Sequence, residues 1–176
     1  MEDLLRKGVR VLVDKDGKLA RLTSLPYARM ASFERPTEAE FVNLANDFWY
    51  HTVWSAKHLR RGELWWAKTG VDMHLKGLLQ RMLEWRTQTV NHGSRDVWLR
   101  GRFLEEWADP QTVEQLEKAF AHYDACDIAQ ALLVTMKIFR RLEDECAAQW
   151  GFSPQFQGEQ SVATFAEQLI APIIER

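Results

Sequence analysis

The chain has little of several things that would place it quickly. Among 176 residues there are only two cysteines, Cys126 and Cys146. They are too few and too far apart for a disulfide framework or a Cys-x-x-Cys metal site, which points to a reducing compartment. No apolar run reaches the length of about 18 residues that a membrane helix needs. The N-terminal MEDLLRKGVRVLV carries charges through its short apolar stretch and has no small-residue cleavage site after it, so the expected location is the cytoplasm. Charge of one sign is also missing. The formal net charge is −2 and the pI is near 6.2, which argues against the positive field that nucleic-acid backbones require. There is no internal repeat and no low-complexity tract.

What is present is a 46% hydrophobic chain with 27% charged residues, eight Trp and nine Phe, enough to bury one core. Composition leaves open whether those aromatics fill a core or wall a pocket.

Residues 8–22 alternate Val9, Val11 and Val13 with Arg10, reach Asp14-Lys15-Asp16-Gly17 and resume with Leu19 and Leu22. The alternation predicts a short N-terminal β-hairpin. A lone hairpin needs covering, and an unpaired edge invites a second copy of the chain, hence a homodimer. Residues 23–36, with Pro26 and Pro36, read as a linker.

Helices follow. Thr37 and Glu40 spell a capping box, and Phe41, Leu44, Phe48, Thr52 and Ala56 form a stripe running to about Arg60. After Gly62, Leu64, Val71, Leu75, Leu78, Leu79 and Met82 share a face that stops at Asn91-His92-Gly93. Asp109-Pro110 opens a third helix burying Val113, Leu116 and Phe120. A fourth starts at Asp127 and carries Ala131, Leu132, Ile138, Phe139, Leu142 and Cys146; the last spans 159–171 and ends at Pro172. The fold class is therefore mainly α, a bundle of about five helices preceded by a hairpin.

Lys57 and Arg61 are four apart, share a helix face and could present two cations to one polyphosphate, although a solvated helix end has the same spacing. Glu63, Asp72 and Glu84 could recognise a polycation, or be ordinary surface carboxylates. Trp85 could line a sugar site, or end an apolar stripe in the core; Trp49, Trp54, Trp65 and Trp66 invite the same core reading. His51, His58, His74, His92 and His122 contain no i, i+4 pair and no His-Glu-x-x-His, so no helix-borne zinc site is indicated. Arg86 and His92 have an Arg-x5-His spacing found in some helical nucleases, a pattern chance supplies easily. No Ser or Cys has a nucleophile's context.

Phe48-Trp49, then Ala56-Lys57-x-Leu59-x-Arg61-x-Glu63-Leu64, then Leu78-Leu79-x-x-Met82-Leu83-x-Trp85 resemble the C-terminal half of the aminoglycoside 6-adenylyltransferases, the streptomycin-modifying enzymes. Val11 to Gly17 and Arg35-Pro36-Thr37-Glu38-x-Glu40-Phe41 are similar to that family's crossing between its two domains; Arg102-Phe103-Leu104 and Phe139-Arg140 look like later family positions. The resemblance implies a nucleotidyltransferase domain followed by a helical domain, with ATP and aminoglycoside held between them. The reaction would transfer AMP to an antibiotic hydroxyl with loss of pyrophosphate, using Mg²⁺ held by carboxylates of a Gly-Ser … Asp-x-Asp motif.

That motif is absent. Asp14-Lys15-Asp16 has no Gly-Ser upstream and reads as a turn. The resemblance thus implies that residues 36–176 are the helical domain, that 1–35 are hairpin and linker left from the edge of the nucleotidyltransferase domain, and that the chain is inactive alone. Lys57 would contact ATP phosphates with Arg61 in support. Glu63 would meet a substrate cation or pair with Arg61 and Trp85 would line the sugar site, while Asp72 and Glu84 join the substrate side on their charge alone. The alternative is a stand-alone helical interaction module that pairs with itself or with a separate nucleotidyltransferase.

Overall fold

A computed structural model describes residues 10–19, 33–97, 99–152 and 157–175. The capping box forms as the sequence requires. Thr37 Oγ1 accepts from the Glu40 backbone N–H at 3.2 Å while the Glu40 carboxylate accepts from the Thr37 N–H at 2.8 Å, starting α1 at Glu38–Arg60. Those hydrogen bonds to Thr37 hold the Glu40 carboxyl below its ordinary range. At Gly62 the backbone turns left-handed (φ 77°), and the Glu63 N–H closes the turn on the His58 carbonyl at 3.0 Å.

The chain reverses there into a run that is helical throughout but not uniform. It comprises α2 (Leu64–Thr69), a π-helical segment (Gly70–Leu75) and α3 (Lys76–Val90). Past a stop at His92 and Gly93, both at positive φ, come α4 (Leu104–Trp107) and α5 (Pro110–Leu116). Asp109 caps α5 and Pro110 occupies its first turn. The long α6 (Ala125–Trp150) is capped by Asp124 and closed by Gly151 at φ 67°. Finally α7 (Gln157–Ile174) packs along α1, while α3 packs along α6.

The core is aromatic at its centre. Phe48 and Phe139 stack at 3.6 Å between ring centroids, and Trp49 meets both edge-on. The Trp49 indole N–H donates to buried Glu143 at 3.1 Å, so this indole brings its own polar partner into the core. A second cluster joins Phe41, Trp85, Trp150 and Phe152, with the Arg35 guanidinium over the Trp150 and Phe152 rings.

The mainly α expectation holds; the N-terminal β-hairpin does not. Among the described residues there is no strand. The turn itself is present: Gly17 has φ 62°, and the Asp14 carboxylate accepts from the Lys18 and Leu19 backbone N–H groups at 3.1 and 3.0 Å. Val11 and Val13 before it run without a ladder. An alternating pattern specifies a strand only where another strand or a covering helix pairs with it. Residues 10–19 thus hold no strand; the hairpin's remaining residues, and the linker up to residue 32, lie outside the described residues. Further differences are local. α6 starts at Ala125 because Asp124, not Asp127, caps it. Phe120 is exposed because α5 ends at Leu116. Pro172 lies within α7 rather than after it.

Candidate functional site

The π-helical segment organises the best candidate. Gly70 opens it where the chain touches α1: a Cβ there would overlap the Ser55 hydroxyl and reach within 3.0 Å of the Trp54 ring. Any larger residue would have to displace the Ser55 and Trp54 side chains. The wide turn then divides its side chains between two environments, and such π insertions are frequent at functional sites.

On the inner side, Lys68, Asp72 and Lys76 form a charged ladder. Asp72 pairs with Lys68 and lies 3.9 Å from the Lys76 ammonium. Lys76 is 9% exposed; it donates to Thr135 Oγ1 at 2.7 Å and to the Val71 carbonyl at 3.2 Å, with the Phe120 ring 5.0 Å away. Burial pulls its pKa down to about 8, against the opposing attraction of Asp72.

On the outer side, His51, Trp54, Trp66, Thr69, Gly70, Met73 and His74 line an open cleft of about 560 Å³. Trp54 and Trp66 meet edge-on at 5.7 Å, and His58 lies against both rings. His51 Nδ1 is 2.7 Å from Asp47 Oδ1, and His74 Nε2 is 3.5 Å from the same oxygen. Trp65, Trp66 and Met73 are 72%, 57% and 70% exposed, so the core reading of Trp65 and Trp66 does not hold.

The residues expected from sequence divide between places. Lys57 and Arg61 are both exposed on the last turns of α1, and the Lys57 ammonium lies 5.8 Å from the Phe165 ring of α7. Glu63, at the same corner, pairs with His58 rather than Arg61. Through His58 that corner adjoins the aromatic cleft. Asp72 is engaged by its lysines. Glu84 accepts from Gln80 Nε2 at 2.8 Å and lies 3.8 Å from Arg81; Trp85 is buried against Phe41 and Trp150. At 1.5 Å per helical residue Glu84 is about 18 Å beyond Asp72, so the three carboxylates do not converge. Arg86 is held by Glu145 at 2.8 Å and Asp109 at 3.6 Å, while His92 lies exposed beyond the end of α3. Cys146 is buried, which pushes its thiol up to about 12, the opposite of a nucleophile's environment.

Sequence reasoning gives no role to Asp47 or Met73, reads Trp54 and Trp66 as core, and does not join His51 to His74. The Asp47–His51 spacing of four is readable; the partner His74 comes from a different element, which a search for His pairs within one helix passes over.

Among the described residues, neither Asp14-Lys15-Asp16 nor the Asp47 cluster fits Mg²⁺. The Asp14 carboxylate is occupied by backbone N–H groups, and Asp16 pairs with Lys18 at 3.3 Å. Asp14-Lys15-Asp16 is thus a self-satisfied turn rather than a pair of free carboxylates, and the Asp47 cluster offers the nitrogen donors that this hard ion avoids.

Comparison with known proteins places this architecture. The aminoglycoside 6-adenylyltransferase of Bacillus subtilis (strain 168) is 24% identical over 133 residues, 76% of this chain and 46% of its own length. That of Campylobacter jejuni is 22% identical over 143 residues, 81% of this chain and 49% of its own. A crystal structure of an aminoglycoside 6-adenyltransferase from Bacillus subtilis shares the fold with a TM-score of 0.70 at 18% identity, over 78% of this chain and 52% of that one. The chain spans about half the length of these relatives. The streptomycin adenylyltransferase family profile matches residues 2–169, nearly the whole sequence, and the chain belongs to that family.

Proposed function

We propose that this chain is the helical, substrate-side part of an aminoglycoside adenylyltransferase, supplying one wall of a cleft whose metal-binding wall belongs to a nucleotidyltransferase domain. Residues 36–176 are then the helical domain, and residues 1–35 the crossing towards its partner domain. One observation carries the reading: the exposed Lys57, Arg61 and Glu63 share a corner with a cleft lined by Trp54, Trp66 and two histidines, both of which pair with Asp47. Two ammonium or guanidinium groups on adjacent turns suit the phosphates of ATP. A polycationic antibiotic built of sugar rings suits the flat faces of Trp54 and Trp66 together with Asp47 and Glu63, since a cation over an indole face gains both stacking and charge attraction. The family match and the relatives' names support that pairing.

Mg²⁺ would supply charge neutralisation across the phosphates, and nothing in Asp14-Lys15-Asp16 suits it. AMP transfer to an antibiotic hydroxyl therefore needs the second domain, and this chain alone does not catalyse it. Streptomycin titrated into the chain should quench tryptophan fluorescence saturably and weakly, and Trp66→Ala should reduce the response several-fold. Equal binding by Trp66→Ala would remove the aromatic cleft from the substrate site.

The exposed Trp65, Trp66, Tyr50 and Met73 favour a second reading, a helical interaction module that pairs with itself or with a separate nucleotidyltransferase, because exposed apolar surface marks interaction sites. Sedimentation distinguishes the two: the substrate-side reading needs no self-association at the concentrations that bind streptomycin.

A further inference from the structure

Among the described residues, one group of three potential metal ligands converges. Asp47 and His51 stand four apart on α1, and His74 reaches over from the π-helical segment; one ligand atom of each lies within 4.8 Å of the others. The two imidazole rings are 3.9 Å apart between centroids, and both direct a nitrogen at Asp47 Oδ1, at 2.7 and 3.5 Å. The other described histidine–carboxylate pairs are single: His58 with Glu63 and His122 with Asp127.

We infer that Asp47, His51 and His74 form a binding site for a borderline divalent transition-metal ion, with Zn²⁺ the natural occupant. Two imidazole nitrogens and one carboxylate oxygen form a donor set that zinc accepts readily and Mg²⁺ does not. Zinc bonds of about 2.0–2.1 Å set neighbouring tetrahedral ligands roughly 3.3 Å apart. The two nitrogen–oxygen separations, 2.7 and 3.5 Å, lie on either side of that value, and all three ligand atoms lie within 4.8 Å of one another.

The His51 ring already has a second use for its proton. Nδ1 lies 3.0 Å from the Asp47 backbone carbonyl; with an ion bound to Nδ1, the neutral ring carries its hydrogen on Nε2 instead, so the exchange is a change of tautomer. The carboxylate halves the charge of the ion. A three-ligand site leaves a fourth position for water, and because both imidazoles line the aromatic cleft that position opens towards it. The ion would also pin the π-helical segment to α1.

This inference does not rest on the adenylyltransferase reading: the ion site needs no second domain, and its failure would leave streptomycin binding to be judged by Trp66. The test is calorimetric titration of Zn²⁺ into the tag-free, chelator-treated chain, with Co²⁺ as an optical probe of tetrahedral geometry. One ion per chain is expected. His74→Ala, at an exposed position, should keep the far-ultraviolet circular dichroism and weaken binding by at least about tenfold. His122→Ala and Trp66→Ala should bind as the parent does. No saturable one-to-one uptake, or undiminished affinity in His74→Ala, would overturn the site.

Discussion

Two aromatic regions of this molecule use the same residues to opposite ends. Around Trp49 the rings are buried, pack in stacked and edge-on pairs, and satisfy a polar group internally through Glu143. Around Trp66 they stand on a short helix, more than half exposed, beside histidines and an open cleft. Helical periodicity is the same in both. The difference arises from what lies opposite: α6 and its Phe139 face α1 on one side, whereas nothing among the described residues covers α2's outer face. An indole is thus structural or available according to its neighbour, not its spacing.

The largest effect should come from Trp49→Ala. It opens a cavity at the core's centre and removes a donor from buried Glu143, so chemical denaturation should show a loss of about 3–5 kcal/mol. A loss below about 1 kcal/mol would put Trp49 in the same class as Trp66.

Lys76 sharpens the contrast between the two sides of the π-helical segment. Desolvation holds its folded-state pKa near 8, whereas the unfolded chain keeps the proton to about pH 10. Between those values the unfolded state binds more protons, so stability rises with pH. Relative to Lys76→Met, the parent should gain roughly 2 kcal/mol between pH 8 and pH 10, because a full proton of difference is worth about 1.4 kcal/mol for each pH unit and the difference is partial at both ends of that window. A difference flat with pH would mean the ammonium is hydrated.

A smaller loss is expected at Asp109, which caps α5 through Thr112 and is flanked by Arg86 and Arg141. Burial alone would raise this carboxyl; the Thr112 hydrogen bonds and the two guanidinium groups outweigh it and hold it below the usual range. Asp109→Ala should cost about 1–2 kcal/mol in thermal or chemical unfolding. The smallest effect belongs to Trp65→Ala, for which a stability change within about 0.5 kcal/mol is expected. A large loss there would show that α2's outer face is structural after all.

Much of the helical part was legible because its signals are local. The Thr37–Glu40 box, the Gly62 reversal, the stop at His92 and Gly93, and the Asp109–Pro110 start each act within a few residues. The errors have equally physical origins. Alternating valines before Asp14 carry no information about whether a strand partner exists. Asp124 and Asp127 are both good caps; in the structure Asp124 accepts from the Asp127 N–H while the Asp127 carboxylate is taken by His122. Pro172 sits inside α7 because Ile170 is buried and Ile173 and Ile174 pack on the core, extending the last turn past a residue that cannot donate.

The site was less readable. Lys57, Arg61 and Glu63 share a corner as their spacing suggests, but Glu63 found His58 instead of Arg61. The π-helical segment has no periodic signature, with Gly70 its only trace. The meeting of Asp47, His51 and His74 depends on how two elements cross, which no spacing within one element records.

The most direct test of the central claim is adenylyl transfer itself, with streptomycin, ATP and Mg²⁺ followed by mass spectrometry for the AMP adduct. No adduct is expected from this chain alone. Adduct should form once it is joined to a nucleotidyltransferase domain bearing Gly-Ser … Asp-x-Asp, and Lys57→Ala should weaken ATP binding in the joined enzyme. Adduct formed by the 176-residue chain by itself would contradict the claim.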